Sequence, residues 1–398
     1  MTSRAKTNSI PFHRPSVGEE EVRAVAEVLR GGMLTMGPRT QEFEKRFAEF
    51  VGAGHAVGVS SGTAALHLAL EAAGIRPGDE VVMPTTTFVA TAQAALYLGA
   101  RPVFCDVDGV TINMDPDDAR KRITPATRAI VPVHLGGIPC EMHEILEMAR
   151  SRNLRVIEDA AHALPSRYDG KRIGSISELT CFSFYATKTL TTGEGGMITT
   201  DSARAAARMR LMRLHAIERT STGSSSGVEA WNYAVREAGY KYNFTDIQAA
   251  LGIAQLAKCE AMREARCRIA ARYSRAFGEL DFMETPVIRA NCETSWHLYI
   301  LRLNLERLRA GRDAIISRMA ERGVGCSVHF IPLHLHDYFQ RTLRYRVGDF
   351  PRAETEFRRC VSLPIYPNLC DEDVDSVIEA VKETLAEFYI PRVASVRA

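Results

Sequence analysis

The side chain with the clearest chemical potential is Lys188, which follows an apolar run and precedes the Gly-rich segment 191–196. Asp159 ends another apolar run upstream. A lysine can form a Schiff base with pyridoxal phosphate (PLP), and an aspartate can hold the protonated nitrogen of the cofactor's pyridine ring. Burial and nearby positive charge can lower the pKa of a lysine enough for it to react as a neutral amine. The pair therefore predicts a PLP site with Lys188 and Asp159 as catalytic residues, although either residue alone also fits a surface lysine or a capping carboxylate.

A candidate phosphate site lies where an apolar run passes into a helical pattern, at Gly62, Thr63 and Ala64. Backbone N–H groups and the positive end of the dipole make a helix start an anion site. Gly62 lacks a Cβ that would block a close approach, and Thr63 adds a hydroxyl donor. Ser183, at the end of a later apolar run, can hydrogen-bond the same phosphate. An ordinary helix cap explains the segment equally well if it is taken alone.

Two ring-bearing residues complete the predicted cofactor site. Phe88 follows a Pro-Thr-Thr-Thr segment and is expected to stack on the cofactor ring. His162, three residues after Asp159, is expected to contact the phenolic oxygen of that ring. In isolation, Phe88 also fits a core aromatic, and His162 also fits a histidine whose hydrogen bonds are all satisfied within the protein.

The composition excludes several classes of protein. The 398 residues are 46% hydrophobic and 25% charged, which is typical of a soluble globular protein. The net charge of +2 is too small to suggest attraction to nucleic acid or membranes. No apolar stretch reaches the roughly 18 residues of a membrane span, and the N-terminus lacks the apolar core of a secretion signal. Nine cysteines without CxxC pairs indicate reduced thiols. We expect a cytoplasmic protein without nucleic-acid or membrane partners.

Short apolar runs alternate with helical patterns between His55 and Asp201, which predicts βαβ units and a mostly parallel, seven-stranded sheet of an α/β fold. Gly195 and Gly196 allow a tight reversal, so that the last strand can pair beside its predecessor. The candidate functional residues follow these strands, where parallel sheets bind ligands. The predicted strands are 56–59, 80–83, 102–105, 129–133, 155–157, 180–184 and 197–200.

The second part of the chain has a different pattern. The Ser-, Thr- and Gly-rich segment 218–229 predicts a mobile loop, and 245–279 predicts one long helix. Beyond it, predicted strands at 296–303 and 325–330 mix with predicted helices at 312–322 and 371–387. We therefore expect a PLP-binding large domain over residues 10–255 and a smaller α+β domain over residues 256–392.

Several ordered motifs make the sequence similar to the DegT/DnrJ/EryC1/StrS family of nucleotide-sugar aminotransferases, over about residues 10–385. The resemblance implies a fold-type-I PLP enzyme, closest to the branch that forms UDP-4-amino-4-deoxy-arabinose. The matching segments are 60–66, 78–84, 131–134, 156–162, 182–184, 193–196, 239–243 and 246–252.

The resemblance also implies roles for individual residues. Lys188 matches the Schiff-base lysine and Asp159 the pyridinium partner, while Phe88 takes the ring-stacking position. Thr63, Ala64 and Ser183 match the residues that hold the phosphate.

Further matches concern the partner subunit and the substrate. Asn243 matches a residue that reaches the cofactor phosphate of the neighbouring subunit, which implies a homodimer with shared active sites. His329 matches a substrate-facing position, and the segments that contain Arg14 and Thr35 are expected to contribute to substrate binding. Arg14 suits a diphosphate, but an N-terminal arm packed on a dimer partner fits it equally well.

Two segments depart from the family pattern. Gly136 stands where relatives more often have tyrosine in a His-Leu-Tyr-Gly motif, and the segment 218–229 is peculiar to this chain. Both are expected near the sugar, so the resemblance alone does not identify the sugar.

The implied reaction moves an amino group from glutamate to a keto group of a nucleotide-linked deoxysugar, in two half-reactions with ping-pong kinetics. Related sugar dehydratases carry histidine at the Schiff-base position, so Lys188 favours transamination. A PLP-binding sensor without turnover, a nucleic-acid binder with the arginines of 204–213, and a metal site at His329, His334 and His336 are the remaining alternatives. For those histidines we favour loop residues near a substrate over metal ligands.

Overall fold

The structure is a computed structural model that describes residues 9–219 and 232–391. Within these residues, 3₁₀ turns span Leu135–Gly137, Leu305–Arg307 and Leu333–Leu335. The strands are β1 (His55–Val59), β2 (Glu80–Pro84), β3 (Arg101–Cys105), β4 (Thr127–Ile130), β5 (Arg155–Asp159), β6 (Arg167–Tyr168), β7 (Lys171–Arg172), β8 (Leu179–Ser183), β9 (Gly196–Thr200), β10 (Ile217–Arg219), β11 (Tyr233–Val235), β12 (Met283–Glu284), β13 (Cys292–Glu293), β14 (Tyr299–Leu303) and β15 (Cys360–Leu363). The helices are α1 (Glu19–Gly31), α2 (Pro38–Val51), α3 (Gly62–Ala72), α4 (Val89–Tyr97), α5 (Pro116–Arg122), α6 (Met142–Arg152), α7 (Ala203–Met212), α8 (Asp246–Ala257), α9 (Cys259–Phe277), α10 (Arg312–Glu321), α11 (Asp337–Leu343), α12 (Pro351–Arg359) and α13 (Asp371–Phe388).

The central sheet has the strand order β1-β9-β8-β5-β4-β2-β3, and β9 alone among these strands runs antiparallel to its neighbours. The predicted α/β class and the mostly parallel, seven-stranded sheet of a fold-type-I enzyme are confirmed. The strands are almost wholly buried because helices cover both faces, which explains why they appear in the sequence as continuous apolar runs.

The reversal between β8 and β9 depends on two glycines, as predicted. Gly195 has a φ of +158° and accepts a hydrogen bond from the Phe184 N–H at 2.8 Å. A Cβ on Gly196 would lie 2.4 Å from the backbone oxygen of Ser61, so only glycine allows β9 to approach the start of α3 this closely. The reversal thus brings the end of β8 beside the first turn of α3.

The single long helix predicted over 245–279 is wrong, because the segment forms α8 and α9 with a break at Lys258. Thr245 caps α8 through a capping box with Gln248. At the break, Lys258 Nζ pairs with the buried carboxylate of Glu21 at 2.5 Å. Neither glycine nor proline marks this position, so helical periodicity continues through it in the sequence.

The C-terminal part contains the antiparallel sheet β12-β14-β15 with helices α10 and α13, which matches the smaller α+β unit expected there. The predicted strand at 325–330 is wrong, because among the described residues this segment forms only a bridge between Ser327 and Ser362. The strand predicted from residue 296 begins at Tyr299. The domain bounds 10–255 and 256–392 remain a prediction.

Most of the predicted loop 218–229 lies outside the described residues, and its first two residues belong to β10 in a hairpin with β11. Among the helices of the described residues, none combines the length and the apolar character needed to cross a membrane.

Candidate active site

The first turn of α3 packs directly on the end of β8. Ser61 caps the helix, since its Oγ accepts a hydrogen bond from the Ala64 N–H at 3.0 Å. A Cβ on Gly62 would lie 2.8 Å from Ser183 Cβ, so the absence of a side chain at Gly62 lets Ser183 reach the helix start. The N–H groups of Gly62 and Thr63 donate no hydrogen bond to other described residues. The structure thus brings together all four predicted phosphate residues, although the Ala64 N–H already has a partner.

Asp159, at the end of β5, is 5% exposed. Its Oδ2 accepts a hydrogen bond from Thr91 Oγ1 at 2.7 Å, and its Oδ1 accepts one from the Ala161 N–H at 3.1 Å. Burial raises the pKa of this carboxyl, against the hydrogen bond from Thr91, which lowers it. No ion pair with Asp159 forms within the described ranges, so its surroundings favour a cationic N–H partner.

Thr91 is a site residue that the sequence analysis missed. Its hydroxyl lies 2.8 Å from Thr87 Oγ1, so the carboxylate of Asp159 is oriented by a short hydrogen-bond chain from α4. A threonine in the first turn of a helix carries no signal of this role, since the contact joins residues far apart in sequence.

Glu158 supports the same strand end from the opposite face. Its Oε2 accepts a hydrogen bond from His134 Nε2 at 2.8 Å, and its Oε1 accepts hydrogen bonds from the Ser177 and Thr180 hydroxyls at 2.6 and 3.0 Å. Burial raises the pKa of Glu158, but the hydrogen bonds from His134 and its other partners lower it below its usual value. This saturated network fixes the backbone that carries Asp159.

Lys188 is partly buried just after β8 and feels the charge of Asp159. Burial lowers its pKa to about 8, and the carboxylate of Asp159 acts in the opposite direction by favouring the ammonium form. An amine with this pKa is neutral in a substantial fraction of molecules near pH 8, which is the state that attacks an aldehyde.

Histidines surround Lys188. His162 accepts a hydrogen bond from the Gly136 N–H at its Nδ1 (3.2 Å), and its ring centroid lies 4.3 Å from that of His297. Burial, together with nearby charge that includes Lys188, lowers the pKa of both His162 and His297 well below the usual value. His297 was missed by the sequence analysis because nothing in its neighbourhood along the chain distinguishes it.

Phe88 and Phe330 form the aromatic edge of the site. Phe88 is 59% exposed, and its ring centroid lies 5.9 Å from that of Phe330. Phe330 lies at the same distance from His162, with the two rings stacked at 25°. An aromatic side chain this exposed beside a buried polar cluster is available to stack on a planar ligand.

The predicted substrate residues fall into two groups. His329 lies within the cluster: its Nδ1 is 2.9 Å from Ser362 Oγ, and burial and the charge of Lys188 lower its pKa to about 4. Thr35 and Asn243 instead contact each other, with the Asn243 amide donating to Thr35 Oγ1 at 3.4 Å on an exposed face. Arg14 is also exposed.

The turn at Gly136 and Gly137 is buried. Both residues have positive φ, +65° and +95°, and a Cβ on Gly137 would lie 2.0 Å from Ser295 Oγ. The departure from the family motif therefore concerns a turn that packs behind His162 and hydrogen-bonds its ring.

Two of the three histidines proposed as alternative metal ligands, His329 and His334, have other partners. His334 is buried and contacts Thr85 Oγ1 at 2.8 Å and Glu354 at 3.0 Å, in a 3₁₀ turn instead of a strand. Across residues 9–219 and 232–391, no three His, Cys, Asp or Glu side chains assemble into a metal site.

The arginines of α7 also have carboxylate partners. Arg208 pairs with Glu71 and Glu237, and Arg213 pairs with Glu44. The basic face that the sequence suggested is therefore largely neutralised, which removes the main support for a nucleic-acid binder.

These observations together fit PLP. Unpartnered N–H groups beside Ser183 suit a phosphate, a buried carboxylate without a cation suits a pyridinium nitrogen, and an exposed aromatic ring suits stacking. Lys188 has the lowered pKa that covalent capture of an aldehyde requires.

Comparison with known proteins identifies the family of the chain. The model of the DegT/DnrJ/EryC1/StrS aminotransferase family matches residues 15–382. The spore coat polysaccharide biosynthesis protein SpsC of Bacillus subtilis is 45% identical over 379 residues, which cover 95% of this chain and 97% of that protein.

Solved structures extend the likeness to the cofactor. Spr1654 from Streptococcus pneumoniae in its PLP form has a TM-score of 0.89 at 33% identity, with 95% of this chain and 99% of that chain covered, and it is also known in a PMP form. The sugar aminotransferase CalS13 from Micromonospora echinospora has a TM-score of 0.84 at 30% identity, with 94% and 99% covered. The chain belongs to the DegT/DnrJ/EryC1/StrS aminotransferase family, whose members are PLP-dependent sugar aminotransferases.

Proposed function

We propose that this protein transfers an amino group from glutamate to a keto group of a nucleotide-linked deoxysugar, with Lys188 and Asp159 as its catalytic residues. The observation that carries the proposal is the buried carboxylate of Asp159, which forms no ion pair among the described residues and acts electrostatically on Lys188, whose pKa burial lowers to about 8. Membership of a family of sugar aminotransferases supports the reaction class.

PLP supplies an electron sink for the pair released when a substrate Cα–H bond breaks. Asp159 keeps the ring nitrogen protonated, and Thr91 holds the carboxylate in position for this task. Gly62, Thr63 and Ser183 would hold the phosphate, and Phe88 would stack on the ring.

With PLP bound, Lys188 would act as the base that takes a proton from the substrate Cα and as the acid that returns a proton. One positioned base contributes about 10²–10⁴ in rate. The histidines around it have depressed pKa values and are neutral near pH 7, so they present uncharged rings to the substrate. Because the amino donor leaves before the ketosugar enters, we expect ping-pong kinetics.

The sugar substrate would lie beside His329, which belongs to the cluster around Lys188, while Arg14 and Thr35 would contact the nucleotide part. The exposed pair Thr35 and Asn243 supports a homodimer in which Asn243 reaches the phosphate of the partner's cofactor. Membership of this protein in the branch of the family that forms UDP-4-amino-4-deoxy-arabinose remains a prediction from the sequence. So does a cytoplasmic location, and we propose that the keto group stands at carbon 4 of the sugar.

Borohydride reduction of the PLP-loaded protein tests the cofactor assignment. We expect a covalent label on the peptide that contains Lys188, and we expect the Lys188→Ala variant to lose both the label and turnover. Lys171→Ala, at an exposed lysine in β7, is the matched control and should keep both. A label at another lysine, or turnover in the Lys188→Ala variant, would contradict the proposal.

Half-reaction assays test the substrates. Glutamate alone should convert the yellow holoenzyme to its amino form, and a 4-keto nucleotide sugar should restore it. A dehydratase would consume the sugar without returning an amino group to it, and a sensor would bind PLP without responding to glutamate.

A further inference from the structure

His334 is a buried histidine to which the proposed reaction gives no task. It lies in the 3₁₀ turn Leu333–Leu335 and is shielded from solvent. Its Nε2 lies 3.0 Å from Glu354 Oε1, which also accepts a hydrogen bond from the Gly348 N–H at 2.6 Å. Its Nδ1 lies 2.8 Å from Oγ1 of Thr85, which is equally buried. Three polar side chains thus form one buried hydrogen-bonded chain between α12 and the end of β2.

This chain of hydrogen bonds has a defined direction. Burial raises the pKa of Glu354, but hydrogen bonds from the Gly348 N–H and His334 lower it overall, so the carboxylate only accepts. The proton in the His334–Glu354 contact therefore belongs to Nε2. Burial lowers the pKa of His334, although Glu354 acts in the opposite direction, so the ring is neutral near pH 7 and its Nδ1 accepts. The Thr85 hydroxyl is consequently the donor to His334 and is held in one orientation.

The backbone of the 3₁₀ turn also contacts Thr85. The Leu333 N–H donates to the Thr85 carbonyl at 2.7 Å, and the His334 N–H donates to Thr85 Oγ1 at 3.4 Å. On its other side, the Thr85 N–H donates to the Cys105 carbonyl at 2.9 Å. Thr85 is therefore fixed between the end of β3 and a segment of the C-terminal part of the chain.

Residues 85–88 form a turn between β2 and α4, which we call the threonine turn. Thr87 Oγ1 lies 2.8 Å from the hydroxyl of Thr91, which donates to Asp159 Oδ2 at 2.7 Å. Phe88, the exposed aromatic residue of the candidate site, is the last residue of this turn. The threonine turn thus carries both a support of the Asp159 carboxylate and the ring that suits stacking.

We propose that His334 is a positioning residue for the cofactor: it holds the threonine turn through Thr85, so that Phe88 can stack on the cofactor ring and Asp159 can hold the ring nitrogen. This inference rests on the proposed function and deepens it, because it assigns a task at the cofactor site to a residue of the C-terminal part. His334 itself need not touch the cofactor.

The energetics favour a positioning role over simple core packing. Apolar side chains often fill a buried position at lower cost than a polar chain, which stabilises the protein only when every member has its partner. What such a chain adds is a fixed geometry. That geometry matters at the far end of the threonine turn, since a displacement of about 1 Å at a reacting centre can slow catalysis about 10²-fold.

Thr85→Val tests the inference, because valine has a similar shape and lacks the hydroxyl. We expect the glutamate half-reaction of the PLP-loaded enzyme to slow about five- to tenfold and the visible circular dichroism of bound PLP to change. The affinity of the holoenzyme for glutarate, an unreactive dicarboxylate analogue of the amino donor, should be unchanged, because His334 acts on the cofactor. Thr85→Ser keeps the hydroxyl and should restore the rate and the spectrum.

Thr384→Val is the matched control. Thr384 is buried in α13, and its Oγ1 has no hydrogen-bond partner among the described residues, so this variant should keep the wild-type rate and spectrum. A double variant that combines Thr85→Val with His334→Gln should be no slower than His334→Gln alone, because both changes break the same hydrogen bond.

An unchanged spectrum of bound PLP in Thr85→Val would overturn the inference, even if the melting temperature fell, because the role of His334 would then be structural alone. Weakened glutarate binding in Thr85→Val, or additive losses in the double variant, would overturn it too. If Thr85→Val does not fold, a wild-type rate and spectrum in His334→Gln would do the same.

The two proposals fail separately. If the holoenzyme is labelled at Lys188 but does not react with glutamate, the proposed function fails, while the spectrum of bound PLP still tests the role of His334. Labelling and turnover with a spectrum that does not depend on Thr85 would refute only this inference.

Discussion

Two halves of the active site differ in how far their buried polar groups are satisfied. The strand-end half comprises Glu158 and Asp159 at the end of β5, whose side chains are hydrogen-bonded, together with the start of α3, where the backbone N–H groups of Gly62 and Thr63 have no partner among the described residues. There, Glu158 accepts hydrogen bonds from His134, Ser177 and Thr180. The arm half comprises His13, Arg266, His297 and His329. There, His13 Nε2 and Arg266 Nε have no partner.

This difference corresponds to the ligands that each half is proposed to hold. A saturated network keeps its geometry without a ligand, which suits a cofactor that stays bound through both half-reactions. Unsatisfied buried groups gain partners only when a ligand supplies them, so they suit substrates that enter and leave. The comparison predicts that changes in the strand-end half affect chemistry and cofactor binding, whereas changes in the arm half affect substrate affinity.

The largest effect is expected from Asp159→Asn. The amide is nearly isosteric and can still accept the hydrogen bond from Thr91, but it cannot stabilise a protonated ring nitrogen. We expect both half-reactions to slow by about 10²–10³, with an unchanged circular dichroism spectrum. Asp201→Asn, at an exposed turn that contacts Gly54, serves as the control. Turnover near the wild-type rate would show that the strand-end half does not act on the cofactor ring.

The pH dependence of PLP capture by Lys188 provides a second test of the strand-end half. The pKa of Lys188 is lowered from 10.5 to about 8. The fraction of Lys188 in the neutral amine form therefore rises about tenfold per pH unit below pH 8 and levels off above it. We expect the rate at which apoenzyme captures PLP to follow this curve in stopped-flow absorbance between pH 6 and 10. In Asp159→Asn the midpoint should move lower, because the carboxylate that favours the ammonium form is gone. A flat profile, or a midpoint near 10.5, would contradict the pKa given to Lys188.

The sequence predicts the strand-end half well because its residues belong to local motifs. Strands buried on both faces form uninterrupted apolar runs, and Gly62, Asp159 and Ser183 each stand at the end of such a run or directly after one. Lys188 follows the same pattern with the Gly-rich turn behind it. The order of these segments along the chain therefore predicts most of the fold and the central residues of the cofactor site.

The arm half is not predictable in this way. Arg266 lies in a helix that is rich in other arginines, and nothing local shows that this arginine is buried. His297 and Thr91 reach the site through contacts between residues far apart in sequence. The Lys258 side chain at the break between α8 and α9 likewise pairs with the distant Glu21. Such features arise from tertiary packing, which periodicity does not record.

The smallest effect among these predictions concerns the packing of Gly62. Alanine there would place a Cβ 2.8 Å from Ser183 Cβ, so the helix start or the serine must shift, at a cost of about 1–3 kcal/mol. We expect the affinity for PLP, measured by fluorescence titration of the apoenzyme, to fall about tenfold while the affinity of the holoenzyme for glutarate is unchanged.

Gly31→Ala is the matched control for Gly62→Ala. It lies at the end of α1, and a Cβ there meets nothing within 4 Å, so PLP affinity should be unaltered. If Gly62→Ala bound PLP as tightly as wild type, the phosphate would not depend on the contact between α3 and β8. If it weakened glutarate binding as much as PLP binding, the two halves would be mechanically coupled, and the division between a fixed cofactor half and an adaptable substrate half would be wrong.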